Sequence, residues 1–460
     1  MKKAKFVTIV MVMVLLFAMV TPASAQLGTT DSSTFTVQNI STELANVTVT
    51  FVSETGVSYV PTQLDGNTPT AFPNPFQLAS GASRQINVSA IPAGQLPPNR
   101  YSVVIASNVQ VAAVAGLAGD GTRRFSGGYS GFTSGAPTVY LATTAFNFSG
   151  WYSLISVQNT GSAPANVLVT ITCSDGTVGT LSRNGIPSMA SFTWALKNTT
   201  PSGFNSVTTH CIGSSVITAN QNIIAVNVQN VPTGGQTNSF EGSSSGFTKV
   251  YVANLSKDFS GWNSSLNIRK LGSGNTTVTI DYSDAEGNDT CSLTDALPSC
   301  QLYMPSFHTI AGRFSATITS SPAMELLAVV GTSHTSGLSG AVIGVGGGST
   351  SVAIPNVAKS YYNWKSAVNC QNVGTIPTTL NLSYQGYAPY NHPTTLNEGE
   401  SVQVLAANEA FLPAGYIGGL TVTANAVGAK IACTVGNTNS YNQGITPGDW
   451  TTQFNAFPRP

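Results

Sequence analysis

The sequence predicts an all-β protein that is built as a tandem array of four similar β-sandwich modules behind a cleaved signal peptide. Three observations support this prediction. A five-residue pattern recurs four times along the chain, and apolar and polar residues alternate around it with the period of a strand. After the first 25 residues, no amphipathic stretch longer than about two helical turns is found.

The recurring pattern begins with an apolar residue and ends in asparagine in three of its copies, at residues 35–39, 155–159, 266–270 and 368–372. The copies begin 120, 111 and 102 residues apart. That distance is the size of one compact domain and far exceeds the unit of a solenoid. Arrays of whole modules usually build reach or surface rather than an active site.

Each repeat is predicted to contain equivalent strands in the same order. A leader strand and then a tryptophan precede the pattern in the last three repeats, and the tryptophans are Trp151, Trp262 and Trp364. After the pattern come a turn rich in Gly, Ser, Pro and Asn and a second alternating strand, which predicts a hairpin. A strand of small apolar residues follows later, at 111–116, 223–228, 326–331 and 429–435. Many short antiparallel strands with frequent turns favour an immunoglobulin-like sandwich.

Gly- and Ser-rich stretches at 126–135, 234–246 and 344–351 are predicted to be linkers or exposed loops. They divide the chain into a signal peptide at 1–25 and modules at 26–133, 134–246, 247–349 and 350–460. Because the first module lacks a leader strand, its sheet is expected to have an open edge. One hypothesis is that the tail at 450–457 supplies this strand to a neighbouring subunit. The alternative is that the tail folds back on the fourth module.

The first 25 residues have the features of an export signal. Lys2, Lys3 and Lys5 precede an apolar run at 6–20, and a small-residue cleavage site ends at Ala25. Cleavage is expected before Gln26, which predicts an extracellular or cell-surface protein. The alternative is an uncleaved anchor, for which the run is short.

Charge is unusually scarce. Charged residues make up 8% of the chain, and Lys plus Arg equals Asp plus Glu at 18 each. This balance argues against a nucleic-acid partner and against polybasic attraction to membranes. A surface with near-zero net charge favours self-association. A lineage with generally low charge is an equally good explanation of the composition.

The six cysteines fall in pairs within the last three modules. Since an even number per module in an exported chain indicates disulfides, we expect the bonds Cys173–Cys211, Cys291–Cys300 and Cys370–Cys433. The last is expected to join two sheets, as in immunoglobulin domains, and the second to pin a hairpin. Closely spaced Cys and His, which a metal site requires, are not found.

The chain resembles the tandem immunoglobulin-like repeats of proteins that filamentous environmental bacteria secrete or display. In those repeats a Gly-Trp-x-Ser sequence precedes the pattern I-x-V-Q-N-x-G. The second repeat matches both parts, with Gly150, Trp151 and Ser153 followed by 155–161. The third departs at Arg269 and Lys270, the fourth has Asn363 for the glycine, and the first retains only the later half. The resemblance implies a surface or extracellular role and provides no catalytic residues.

A search for chemistry finds no catalytic, cofactor or metal residues. The sequence at 242–246 matches a serine-hydrolase elbow but lies in a Gly/Ser stretch. An acidic cluster at 281–289 lacks EF-hand spacing and is interpreted as a solvated turn. The chain has four histidines, and no two of them have the spacing of metal ligands: His210, His308, His334 and His392. The three tryptophans could stack on sugar rings if exposed, but packing under the leader strand is the favoured interpretation.

These observations predict a non-enzymatic structural subunit of an extracellular assembly, such as a surface layer, sheath or filament, that associates with copies of itself. The alternative is an adhesin or glycan-binding surface protein, with surface glycans as partners. An enzyme is not expected, and neither is a cofactor.

Overall fold

The structure is a computed structural model that describes residues 14–18, 32–65, 72–92, 94–118, 126–231, 235–439 and 451–459. Within these residues the chain is built of antiparallel strands, which confirms the all-β prediction. Helix is confined to α1 (Met304–Phe307) and two 3-10 turns, Val88–Ala90 and Ala406–Asn408.

Eleven described strands belong to or pair with the first repeat: β1 Val14–Ala18, β2 Ser32–Asn39, β3 Ala45–Ser53, β4 Ser58–Tyr59, β5 Gln63–Asp65, β6 Phe72–Pro73, β7 Phe76–Leu78, β8 Ser83–Asn87, β9 Tyr101–Ser107, β10 Val111–Ala118 and β11 Ser126–Ser130. The second repeat contains β12 Ala136–Phe146, β13 Tyr152–Asn159, β14 Ala165–Cys173, β15 Val178–Ile186, β16 Ser191–Ala195, β17 Cys211–Asn230 and β18 Thr237–Glu241.

The third repeat contains β19 Lys249–Lys257, β20 Trp262–Lys270, β21 Thr276–Tyr282, β22 Asn288–Leu293, β23 Ser299–Tyr303, β24 Gly312–Ser321, β25 Leu326–His334 and β26 Ser339–Ile343. The fourth contains β27 Ser351–Tyr361, β28 Trp364–Asn372, β29 Thr378–Tyr384, β30 Tyr390–Leu396, β31 Ser401–Leu405, β32 Tyr416–Ala424, β33 Ile431–Asn439, β34 Thr451–Asn455 and β35 Phe457–Pro458.

One pairing scheme recurs in all four repeats. In the third, a leader sheet has the order β19-β24-β21-β22 and a motif sheet the order β23-β20-β25-β26. The fourth repeats this with β27-β32-β29-β30 and β31-β28-β33-β34, and the first with β1-β9-β3-β4 and β8-β2-β10-β11. In the second repeat the long β17 serves both sheets, because its first half pairs with β12 and β14 and its second half with β13 and β18.

The apolar core is divided in the same way. Four large clusters of buried side chains each draw almost all their members from one repeat. In each cluster the inward positions of both sheets contribute. Val278 and Ile280 of the leader sheet lie with Leu266 and Ile268 of the motif sheet, for example, and all four are fully buried. The two sheets therefore pack face to face, as the period-two alternation requires.

The predicted hairpin after the pattern is wrong. The strands on either side of this turn do not pair with each other, and β20 and β21 of the third repeat, for example, belong to different sheets. The asparagine that ends the pattern holds the crossing. Asn159 Nδ2 donates to the carbonyls of Ala163 at 2.7 Å and Ile186 at 2.9 Å, and its Oδ1 accepts from the backbone N–H of Gly161 at 2.9 Å.

The turn between the two sheets, here called the corner, is held by the same asparagine contacts in two other repeats and by a lysine in the third repeat. Asn39 and Asn372 make the equivalent three hydrogen bonds. In the third repeat Lys270 Nζ donates to the Gly272 carbonyl at 2.9 Å and to Asp295 Oδ1 at 2.6 Å. An ion pair thus replaces the amide where the sequence departs from the pattern.

The three disulfides join the cysteine pairs expected from the sequence. Two expectations about their place are wrong. Cys370 and Cys433 lie opposite each other on neighbouring strands of one sheet, so this bond does not link two sheets. Cys291 and Cys300 lie on β22 and β23, which belong to different sheets, so this bond links the sheets rather than pinning a hairpin.

The four repeats contact one another in a closed cycle. The Ser102 hydroxyl of the first donates to the Met189 carbonyl of the second, and the Arg269 guanidinium of the third donates to the Ser214 hydroxyl of the second. Between third and fourth, the Ser315 hydroxyl donates to the Gly399 carbonyl at 2.6 Å. Arg459 Nε of the fourth donates to the Ile40 carbonyl of the first at 3.3 Å, which completes the cycle.

The last strands of the repeats, β11, β18, β26 and β34, meet at the centre of this cycle. Four hydrogen bonds connect them in turn: Ser239 Oγ to the Gly128 carbonyl at 2.8 Å, Thr237 N–H to Ser339 Oγ at 2.7 Å, Asn455 Nδ2 to the Ile343 carbonyl at 2.9 Å, and Ser126 Oγ to the Thr451 carbonyl at 2.9 Å. Heterologous contacts that close on themselves make a finite body.

Glycine makes this central contact possible. A Cβ on Gly127 would lie 2.6 Å from Ser239 Oγ, and one on Gly340 would lie 2.8 Å from the Gln453 side chain. The prediction that the Gly- and Ser-rich stretches are linkers or exposed loops is therefore wrong for Ser126–Ser130 and Thr237–Glu241, which are strands. Small residues occur there because the four central strands pack closely against one another.

The first repeat and the tail differ from expectation. Val14–Ala18 pairs with β9 where the other repeats have their own leader strand, and the rest of the predicted signal peptide lies outside the described residues. Within this chain the tail at 451–458 pairs with the fourth repeat: β34 pairs with β33 and β35 with β27. The tail therefore completes the fourth repeat, as the fold-back alternative predicted. In the described part of the chain, no helix has the length and apolar character needed to cross a membrane.

Candidate functional site: the clefts between repeats

The chemistry considered from the sequence does not assemble into a catalytic centre. Ser244 is exposed and is followed by strand β19 rather than by the helix of a hydrolase elbow. His308 is buried, stacks on Phe314 with ring centroids 4.0 Å apart, and lies 2.8 Å from the Asp284 carboxylate. This pair is a core contact of the third repeat.

Carboxylates of the acidic cluster at 281–289 form hydrogen bonds with different groups of the third repeat. Besides Asp284, the Asp289 carboxylate accepts from the Tyr282 hydroxyl at 2.8 Å, and Glu286 accepts from Ile310 N–H at 3.2 Å. Burial and this bond to Asp289 raise the pKa of Tyr282, so the phenol remains a donor. Among the described residues, no group of three or more His, Cys, Asp or Glu side chains could hold a metal.

The tryptophans instead mark a shared feature. Trp151, Trp262 and Trp364 are half-buried and are absent from the apolar core clusters, so the favoured interpretation of packing under the leader strand does not describe them. Each follows a tight turn between leader and motif strands whose backbone is the same in all three repeats. In the second repeat this turn places Asn147, Ser149 and Gly150 at positive φ, of 52°, 49° and 83°.

Such angles are uncommon outside glycine. The third repeat has equivalent angles at Asp258, Ser260 and Gly261, and the fourth at Ser360, Tyr362 and Asn363. Asn363 therefore takes the left-handed conformation that glycine has in the other two repeats. The asparagine side chain tolerates this region better than most.

The serine of the Gly-Trp-x-Ser sequence explains how the turn is held. Ser153 Oγ accepts from the Ala145 N–H at 2.9 Å, and Ser366 Oγ accepts from the Ala358 N–H at 2.7 Å. Ser264 does the same for Ser256 at 3.0 Å. Each bond fixes the leader strand where its register shifts. The glycine and serine thus have structural roles within the repeat, whereas the tryptophan ring projects to the junction with the next repeat.

Each tryptophan lines a cleft between its own repeat and the next one in the cycle. The second–third cleft contains Trp151 and measures about 510 Å³, the third–fourth cleft contains Trp262 and measures about 340 Å³, and the fourth–first cleft contains Trp364 and measures about 380 Å³. These volumes fall in the range of small-molecule sites, about 300–1,000 Å³.

The opposite walls are built from equivalent positions of the next motif sheet. Each contains a glutamine on the edge strand, an amide or hydroxyl residue paired with it on the motif strand, and a glycine on the adjacent strand. These residues are Gln301, Asn267 and Gly331 in the second–third cleft, Gln403, Asn369 and Gly436 in the third–fourth cleft, and Gln85, Thr36 and Gly116 in the fourth–first cleft.

The clefts are almost free of charge. Among the described lining residues, Arg313 in the third–fourth cleft is the only one with a charged side chain at neutral pH. Its burial lowers the pKa of the guanidinium, and an arginine side chain stays protonated in proteins. The rest of the lining is aromatic, aliphatic, amide and hydroxyl, so the chemistry available is stacking and neutral hydrogen bonding.

Several polar atoms in the walls have no partner among the described residues. Asn238 Oδ1 in the second–third cleft is buried in this way, as are Asn254 Oδ1 and Thr451 Oγ1 in the third–fourth cleft. A buried acceptor without a donor is costly, and water or a ligand usually satisfies it.

The junction between the first and second repeats is different. The positions equivalent to Ser265 and Gly331 are Leu154 and Val228, which are buried in an apolar cluster with Leu117 and Tyr129 of the first repeat. The first repeat also has no tryptophan before its pattern. Apolar packing therefore replaces the cleft at this junction.

Sequence reasoning found the tryptophans but missed the walls facing them. The glutamines and glycines occur at matching registers, yet nothing in the sequence indicates that they face the preceding repeat. No protein-family model matches the chain, and comparison with the curated proteins finds no match either. The clefts must therefore be interpreted from their geometry and chemistry.

Proposed function

We propose that this chain is a non-enzymatic structural subunit of an extracellular or cell-surface assembly, built from four immunoglobulin-like modules and related to the tandem-repeat surface proteins that it resembles. The observation that supports this most is the closed cycle of four repeats, three of which contain a disulfide. Such a body has many rigid contacts and little charge. It suits a building block better than a flexible tether.

The edge of β9 is the contact that we propose for assembly. On one side β9 pairs with β3, and on the other with Val14–Ala18. Since these five residues lie in the predicted signal peptide, cleavage before Gln26 would leave one side of β9 unpaired. An unpaired edge invites a strand from another chain. We propose a second copy of this protein as the donor, because the low surface charge offers little repulsion between copies.

Electron microscopy of the purified mature chain tests this proposal, with cell surfaces as the native reference. Regular filaments or lattices are expected. The matched control grafts residues 136–151 of the second repeat before the first pattern, so that a leader strand from the same chain covers β9. This variant should remain monomeric in light scattering. Monomeric wild-type protein, or filaments of normal length from the grafted variant, would refute the proposed contact.

A second candidate function, that of an adhesin or glycan-binding surface protein, is favoured by one observation. Three clefts of similar construction each present a half-buried tryptophan opposite amide side chains.

A further inference from the structure

We propose that the three tryptophan-lined clefts are equivalent binding sites for uncharged glycan chains, so that one chain binds three glycan segments. This inference rests on the second candidate function and assigns its sites, ligand class and stoichiometry.

The aromatic wall has the character that a sugar requires. A pyranose ring has a face of C–H groups that packs on an aromatic face, while its hydroxyls point outward. Trp151, Trp262 and Trp364 are partly exposed where the motif strands begin, and the turn before each of them has the same backbone conformation in all three repeats. Their backbones are fixed by mutual hydrogen bonds across the turn, such as Trp151 N–H to the Phe148 carbonyl at 2.8 Å. A rigid platform of this kind loses little conformational entropy on binding.

The facing wall supplies hydrogen bonds of both senses. A carboxamide has donors and an acceptor, and a sugar hydroxyl can act as either, so amide side chains suit hydroxyl recognition. Gln85, Gln301 and Gln403 occupy equivalent positions in the three clefts. Asn238 Oδ1 and Asn254 Oδ1 are buried acceptors without partners among the described residues. Ligand hydroxyls can donate to them.

The electrostatics select the class of glycan. Two clefts have no charged lining residue among those described, and the third has only Arg313. Nothing in the first two would compensate the desolvation of a sulfate or carboxylate, whose burial without a partner is costly. Glycoside hydrolysis usually requires two carboxyl groups across the cleft, and the described lining contains none. The geometry points to binding of neutral sugars without cleavage.

The first–second junction is an internal comparison. There Leu154 and Val228 fill the positions of Ser265 and Gly331, and no tryptophan precedes the pattern. The proposal therefore requires three sites and not four.

The apolar first–second junction also suggests a variant that imitates it in another cleft. A Cβ at Gly436, which lines the third–fourth cleft, would meet its nearest neighbour, the Gln453 side chain, at 3.8 Å, so Gly436→Val can be introduced there to occupy part of this cleft.

The test uses the purified full chain and a panel of soluble hexasaccharides of glucose, mannose, galactose and N-acetylglucosamine, with a sulfated hexasaccharide as the charged comparison. Isothermal titration calorimetry should give close to three sites for at least one neutral sugar. Trp151→Ala, Trp262→Ala and Trp364→Ala should each weaken binding at one cleft by about tenfold or more, and the triple variant should bind none. Trp364→Tyr, which keeps an aromatic ring, should retain its site.

Two controls separate loss of a site from loss of the fold. Trp194→Phe changes a buried tryptophan of the second repeat's core and should leave the stoichiometry unchanged. Gly436→Val should remove one site without removing a tryptophan. Neutral-sugar binding that persists in the triple variant would overturn the cleft assignment while leaving glycan binding as a function. Preference for the sulfated hexasaccharide would overturn the neutral-sugar inference but leave glycan binding as a function. Absence of binding to every hexasaccharide of the panel at millimolar concentration would overturn the inference and glycan binding together. None of these results bears on filament formation.

Discussion

Replacing the corner asparagine of the second repeat should cost more stability than any exposed polar substitution nearby. Asn159 is fully buried, and its amide makes three hydrogen bonds, at 2.7, 2.9 and 2.9 Å. The Asn159→Ala variant loses all three and leaves the Ile186 carbonyl buried without this donor. At a net value of about 1 kcal/mol each, the loss is about 3 kcal/mol.

A comparison at the same position tests the reasoning further. Asn159→Asp keeps the acceptor for Gly161 N–H but turns a carboxylate oxygen toward two carbonyl oxygens. At neutral pH it should therefore be at least as damaging as the alanine variant, and part of the loss should be recovered at low pH, where the carboxyl becomes a donor. The matched control is Asn166→Ala on the adjacent strand. Its side chain is exposed and accepts one hydrogen bond, from the Gly185 N–H at 3.0 Å, so the change should cost no more than about 1 kcal/mol.

Native-state hydrogen exchange on peptides from β13 and β14 measures the free energy of opening of this repeat, and urea unfolding measures the effect on the whole chain. The expected order of stability is wild type, Asn166→Ala, then the two Asn159 variants. If Asn159→Ala opens no more readily than Asn166→Ala, the asparagine does not hold the corner and the account of the repeated pattern is wrong.

The other predictions concern the disulfides, one buried carboxyl group and the first repeat. Removing the Cys370–Cys433 bond should destabilise its repeat by about 4 kcal/mol and removing Cys291–Cys300 by about 2.5 kcal/mol, because they span 63 and 9 residues; equal shifts in thermal unfolding would contradict this loop-entropy argument. Burial raises the pKa of Glu241, so the carboxyl resists ionisation in the folded state and stability is lost as the pH rises from the ordinary glutamate value through the raised one. Glu241→Gln should therefore flatten the dependence of Tm on pH and raise Tm at pH 8, and parallel curves for the two proteins would exclude this role. If cleavage before Gln26 removes Val14–Ala18 from β9, the first repeat should lose hydrogen-exchange protection first on heating, since it would then have neither a disulfide nor a covered β9; earlier opening of the fourth repeat would reverse this ranking.

The sequence by itself determined the strand content, the repeat and the disulfide partners. These follow from local or nearly local properties. Alternation such as that of Val278 and Ile280 determines which side chains face inward, whatever the strands pair with. The cysteines fall in one pair per repeat, so the choice of partner requires no structure. The repeated asparagine and serine were visible as a pattern, although their roles were not.

Tertiary structure decided which sheet each strand joins and how the repeats meet. A turn rich in Gly and Asn is compatible with a hairpin and with a crossing between sheets. The crossing forms because Asn159 satisfies three backbone groups, two in the turn and one at the end of β15. The Gly-rich stretch at Gly127 and Gly128 resembles a linker in sequence, yet it lies at the centre, where a Cβ on Gly127 would lie 2.6 Å from Ser239 Oγ and one on Gly128 would lie 3.0 Å from the Thr452 side chain. The clefts are lined by residues more than 100 positions apart, such as Trp151 and Gln301. A local sequence pattern cannot show that residues so far apart in the chain face each other. The function of the tryptophans could therefore be considered only once the cycle of repeats was known.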